Sequence, residues 1–172
     1  MINRLRRKFI RIAMLSVTLV VLLLTVSINL FNYLSTGQSL SNTLHMIGEN
    51  QGMIPQFPGG RPEKPPRGQF TPETPYSTRY FVLYYSADGS LDRTDMRHIA
   101  AVREEDTSHY LSIALRHGEG MGYTGNYKYS VTSVGEGRYM AIFLDCQREL
   151  HSIRTFAFIS LLVAVICVAL RE

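Results

Sequence analysis

Apolar positions in this chain gather in two long runs near its ends, with an alternating pattern between them. From Ile12 to Phe31 twenty residues pass without a charge. A helix rises about 1.5 Å per residue, so such a run spans roughly 30 Å, the thickness of a bilayer's hydrocarbon core. Thr18, Thr25 and Ser27 interrupt it, but helix hydroxyls bond back to carbonyls one turn earlier. Asn29 falls near the far end, where water is close. The second run, Thr155 to Leu170, has sixteen residues. That is short for a crossing unless it is counted from Ser152, with Arg154 extending its charged head outward. A cleaved signal peptide is the rival for the first run and a buried core helix for the second. The first run exceeds the roughly 7–15 apolar residues of a signal peptide, and no A-x-A-like site closes it. The pattern thus predicts transmembrane helices over 12–31 and 152–170. The sequence stops two residues later, which reads as a cut just after a crossing.

Between the runs the periods change. Leu34, Leu40, Leu44 and Ile47 recur at loosely helical spacing, and Gly48 and Gly52 mark an end. This predicts a juxtamembrane helix over 32–52 that extends the first crossing. All seven prolines then fall between Pro55 and Pro75, so residues 53–78 read as an extended, mobile Pro/Gly-rich linker. A proline-rich recognition ligand is the sharper alternative there. From Tyr80, YFVLYYS is a β-type run closed by an Ala87-Asp88-Gly89 turn, and a short second strand begins within 90–99. REEDTSHYLSIALRHG reads as a helix, with acids in its first turn, Arg116 and His117 in its last and Gly118 ending it. GMGYTGN reads as a turn. NYKYSVTSV, the turn Gly135-Glu136-Gly137 and RYMAIFLD form a hairpin. CQRELHSIR leads into the second crossing as one helix. Residues 79–150 are therefore expected to build an α+β domain, a small antiparallel sheet with one helix on one face. A core of that size is marginal alone.

Composition matters less than its distribution. Mean hydropathy is −0.01 and 45% of residues are hydrophobic, averages that suit a soluble domain and hide the two runs. The net charge is +4 and the isoelectric point about 9.2. Residues 1–11 carry Arg4, Arg6, Arg7, Lys8 and Arg11 and no acid, whereas residues 32–152 hold eleven Lys/Arg and thirteen Asp/Glu. The basic balance therefore reports membrane orientation, with both termini cytoplasmic, and gives no argument for nucleic-acid binding. Of the two cysteines, Cys146 lies outside and Cys167 in the second crossing, roughly 31 Å apart if one helix joins them, beyond disulfide reach. Cys146 is left as a partly buried thiol or a link to a second copy.

The side chains do not compose a catalytic site. His109 and His117 stand too far apart on one helix to chelate one metal, and no CxxC, HExxH or nucleotide loop is present. Tyr84, Tyr85, Tyr123, Tyr127, Tyr129 and Phe81, together with Arg79 or Lys128, either line a small ligand pocket or pack the sheet. Ala157, Ser160 and Ala164 share a small-residue face suited to close helix packing in a dimer.

Two crossings around a small outer α/β domain, with RYFVLYYSADG, GNYKY and FLDCQRE, resemble the input end of a bacterial transmembrane sensor histidine kinase of a two-component system. The match covers most of residues 79–170, and the linker 53–76 shows no resemblance. The resemblance implies a PAS-like or Cache-like sensor domain in a homodimer at the cell membrane, responding to an unidentified outer stimulus. It also implies a cytoplasmic kinase domain after Glu172 that would use ATP and Mg and phosphorylate a response regulator. His151 lies on the outer side and is not a phospho-acceptor. A conformational change would pass through Asp145, Cys146, Arg148 and Glu149 into the Ala157, Ser160 and Ala164 face. A chemotaxis-type or cyclase receptor and a membrane-anchored interaction protein are the alternatives.

Overall fold

A computed structural model describes residues 2–55 and 74–169; the side chains of 2–5, 7 and 167–169 are outside that description. In chain order the elements are α1 (Ile2–Glu49), α2 (Thr74–Ser77), β1 (Tyr80–Ser86), β2 (Leu91–Asp95), α3 (Thr107–His117), β3 (Gly120–Thr124), β4 (Tyr127–Gly135), β5 (Arg138–Asp145) and α4 (Gln147–Ala169). The chain forms two compact units, Met1–Thr36 with Arg148–Glu172, and Gly37–Gln147.

The first unit holds the parts of α1 and α4 that carry the two apolar runs. Both helices are long and apolar enough to cross a membrane. Phe31 is 74% and Phe158 66% exposed, an apolar surface that suits lipid rather than water. The hydroxyl of Thr18 donates to Met14 O at 2.8 Å, the back-bonding that makes a threonine tolerable in such a helix.

The second unit is α+β, with a five-stranded antiparallel sheet in the order β2-β1-β5-β4-β3. The central strands β1 and β5 are buried almost throughout. Their side chains alternate between two apolar faces, so they read as continuous hydrophobic runs. Phe81, Leu83, Tyr85, Ala141 and Phe143 form one face, against Ala114 of α3. Val82, Met140, Ile142 and Leu144 form the other.

The expectation of one packed helix on one face is corrected here, because that second face is also covered. Leu40, Leu44 and Ile47 of α1 are buried, and an added Cβ at Gly48 would lie 3.7 Å from Ile142 Cδ1. The stripe that extends the first apolar run is thus also a core stripe, because a sheet apolar on both faces needs two covers.

GMGYTGN is corrected in the same way. Residues 120–124 form a strand, paired with β4 from Gly120↔Val131 to Thr124↔Tyr127. Gly122 makes this possible, since a Cβ there would come within 2.6 Å of Tyr129 Cζ. Helix α3 begins after a 3-10 turn, Glu104–Asp106, and ends at Gly118 with φ +64°. The β4–β5 hairpin turns at Glu136 and Gly137, both with positive φ. The Pro/Gly-rich linker 53–78 lies mostly outside the described residues, and its last part contains the short helix α2.

Candidate functional site

The aromatic candidates fall on different faces of the sheet. Tyr127 and Tyr129 point to the α3 side. Tyr127 meets Tyr110 edge-on at 5.5 Å and Phe81 at 5.7 Å, and Tyr129 lies 5.8 Å from Phe143. Burial pushes the Tyr127 hydroxyl up to about 12, with Tyr110 and the Asp145 carboxylate adding to the effect. These rings are core, with Tyr129 only 4% exposed. Tyr84 lies on the opposite face, donates to Gln51 O at 2.8 Å and carries the Arg93 guanidinium 4.4 Å above its ring. Tyr123 is half-exposed on β3, with Lys128 Nζ 5.1 Å from its ring centroid. The sheet separates the two pairs, so these tyrosines do not share one pocket.

Arg79, just before β1, belongs to a separate cleft of about 1010 Å³. The segment after α1, helix α2 with the residues before β1, and the β2–α3 connection form its walls. Met53, Ile54, Pro75 and Ile99 supply apolar surface, and Asn50, Arg79, Arg97 and His98 supply polar groups; no acid is among the described lining residues. The two arginines differ. Arg97 donates Nε to Asp95 Oδ1 at 2.9 Å and Nη2 to Oδ2 at 2.6 Å, which holds the Asp95 carboxyl below its usual range. Arg79 has an exposed side chain with no hydrogen bond or ion pair among the described residues. The His98 ring stacks on buried Tyr80, centroids 4.7 Å apart. Sequence reasoning singled out Arg79 but missed His98 and the cleft, because its walls come from segments far apart in the chain.

The backbone of Arg79 leads out of the cleft. Its carbonyl accepts the Asp145 N–H at 2.9 Å. Asp145 Oδ1 in turn accepts the N–H of Gln147, the first residue of α4, at 2.9 Å, satisfying one of the donors that every helix start leaves over. Between them Cys146 is wholly buried, with its N–H and Sγ both 2.9 Å from Asn126 O. The side chain of Cys167 lies outside the described residues.

In the first unit the small-residue face has a polar partner that sequence reasoning did not assign. Asn29 Nδ2 of α1 donates to Ser160 Oγ of α4 at 2.9 Å. Asn32 and Thr36 of α1 share a cavity of about 250 Å³ with Arg148, Glu149, Ser152 and Ile153 of α4. Later positions on one helix thus face earlier positions on the other, as in an antiparallel pair. Ala164 is half-buried, whereas Ala157 is exposed.

No group of three or more His, Cys, Asp or Glu side chains that could hold a metal occurs among the described residues. No family model, curated protein or solved structure matches this chain.

Proposed function

We propose that this chain is the signal-sensing and transmembrane module of a bacterial sensor histidine kinase. Residues 37–147 form its extracytoplasmic, PAS-like or Cache-like sensor, and α1 and α4 cross the membrane with both termini cytoplasmic. The observation that carries this reading is the junction of β5 and α4. A central strand of the sheet ends at Asp145, and a membrane-length helix starts at Gln147 under the Asp145 carboxylate. Only Cys146 lies between strand and helix, which supports reading the start of α4 as the route for a shift in the sheet's packing. Helix α1 supports the same reading, because one continuous helix carries the first apolar run and buries Leu40, Leu44 and Ile47 in the core of the second unit.

A homodimer fits this scheme. The exposed Ala157 leaves room for a second α4, and a displacement between packed helices biases a bistable transmitter. The output would be an ATP- and Mg-dependent kinase acting on a response regulator. The test is the coding sequence beyond Glu172. A charged helical linker, a phospho-accepting histidine helix and glycine-rich nucleotide boxes would support the reading. A chemotaxis or cyclase output would move it to another receptor class, and a stop codon would favour a membrane-anchored interaction protein. In a signalling assay, Ala157→Phe with Ala164→Phe should alter output without abolishing membrane insertion; unchanged output would rule this face out.

A further inference from the structure

We infer that the cleft around Arg79 binds a small organic monocarboxylate with an apolar body. The cleft supplies one guanidinium not already committed among the described residues, an imidazole and a wall of aliphatic side chains. Arg97 cannot serve equally, because its fork is occupied by Asp95. A carboxylate matches the planar donors of Arg79 bidentately, as arginine prefers. Met53, Ile54 and Ile99 offer contacts only to an apolar remainder, which disfavours bare phosphate or sulfate. The volume lies at the upper end of the range of small-molecule sites.

Position gives the site a consequence. The same residue that offers its side chain to the carboxylate holds the Asp145 N–H with its carbonyl, and Asp145 caps α4. On another wall, Asn50 directly follows α1 and Met53 lies just beyond. A ligand drawing these walls together therefore acts on residues adjoining the end of one membrane-length helix and, through Asp145, on the cap of the other. This deepens the sensing reading and rests on it for the consequence of binding, while binding itself is measured on this chain alone.

The experiment uses the whole chain in lipid nanodiscs, with calorimetry and saturation-transfer NMR. The probes are phenylacetate, hexanoate and the uncharged amide phenylacetamide. Both acids should bind saturably, and the amide at least about tenfold more weakly. Arg79→Gln should weaken both acids at least about tenfold and leave the amide unchanged, and Arg79→Lys should fall between. Because the Arg79 side chain is exposed, these variants should keep their fold. Ala100→Asp, adding an acid at the rim with Arg79 intact, should also weaken the acids. Equal binding of acid and amide, wild-type affinity in Arg79→Gln, or no saturable binding of either acid up to about 10 mM would overturn the inference. Acid binding to this chain beside a silent transmitter fused after Glu172 would support the site while removing the sensing reading.

Discussion

Lys128 Nζ of β4 donates to the main-chain carbonyl of Gly37 in α1 at 2.8 Å, so a buried charge joins the sheet to the helix that covers it. The same ammonium donates to Ser41 Oγ at 2.6 Å and lies over the Tyr123 ring. All three contacts fall on the α1 side of the sheet. Burial pushes the Lys128 ammonium below its ordinary pKa, opposed by Cys146. Lys128→Met keeps the apolar stem and removes the charge. Its desolvation cost then disappears with its hydrogen bonds, and stability should change by less than about 1 kcal/mol. Lys128→Ala also loses the packing of the stem and should cost about 1–3 kcal/mol. Denaturant unfolding of the chain in micelles separates the two. A methionine variant as unstable as the alanine one would show that the charge, and not the stem, holds α1 to the sheet.

Tyr127 should contribute to the loss of stability at alkaline pH. Its folded pKa is about 12, above the ordinary tyrosine value of about 10. The unfolded chain therefore gives up this proton first. The contribution to stability is fully present below about pH 10 and is lost as pH rises through about 12. Tyr80, Tyr85 and Tyr110 are raised too, each chiefly by burial. Melting temperature should fall steeply across that window, and Tyr127→Phe should make the fall shallower without removing it. Curves of equal steepness for the two proteins would exclude Tyr127 as a major contributor.

Local patterns were legible in the sequence and non-local placements were not. Two helices of membrane-spanning length, the hairpin around Glu136 and the end of α3 at Gly118 each depend on residues close together in the chain. The strand at 120–124 was hidden because glycines signal turns, yet Gly122 is there to clear the ring of a residue seven positions later. The Leu40-Leu44-Ile47 stripe was visible as a helix, but its partner face on β5 lies about a hundred residues away. The candidate tyrosines divided for the same reason. Alternation put Tyr127 and Tyr129 on one face, and only the pairing of strands shows that this face is core. Arg79 reached a cleft through walls that no spacing rule connects.

Gly122 and Tyr129 should reveal their contact in a double-mutant cycle. An alanine Cβ at 122 would sit 2.6 Å from Tyr129 Cζ and 2.9 Å from Cε1, and the ring also packs against Phe143 and His117. Gly122→Ala should therefore cost about 1–3 kcal/mol through overpacking. Combined with Tyr129→Ala, which itself opens a cavity, it should cost clearly less than the two changes added together. Simple additivity in thermal unfolding would mean that the edge strand shifts freely and that the glycine is not required there.

Asn29 and Ser160 should couple weakly but measurably. In hydrocarbon an unsatisfied amide is costly, which argues for a strong bond, yet each partner has an escape. Asn29 Nδ2 also donates to Thr25 O at 2.9 Å within its own helix, and a serine hydroxyl freed by loss of the asparagine can bond back one turn. The coupling should therefore be about 0.6 kcal/mol and not several, the size typical of hydrogen bonds between membrane helices. Asn29→Ala and Ser160→Ala should each lower stability slightly in bicelles, and the double variant should cost less than their sum. A coupling near zero would leave the α1–α4 pairing to the apolar and small side chains alone. Several kcal/mol would mean that neither escape is used, and that this pair fixes the position of α4 against α1.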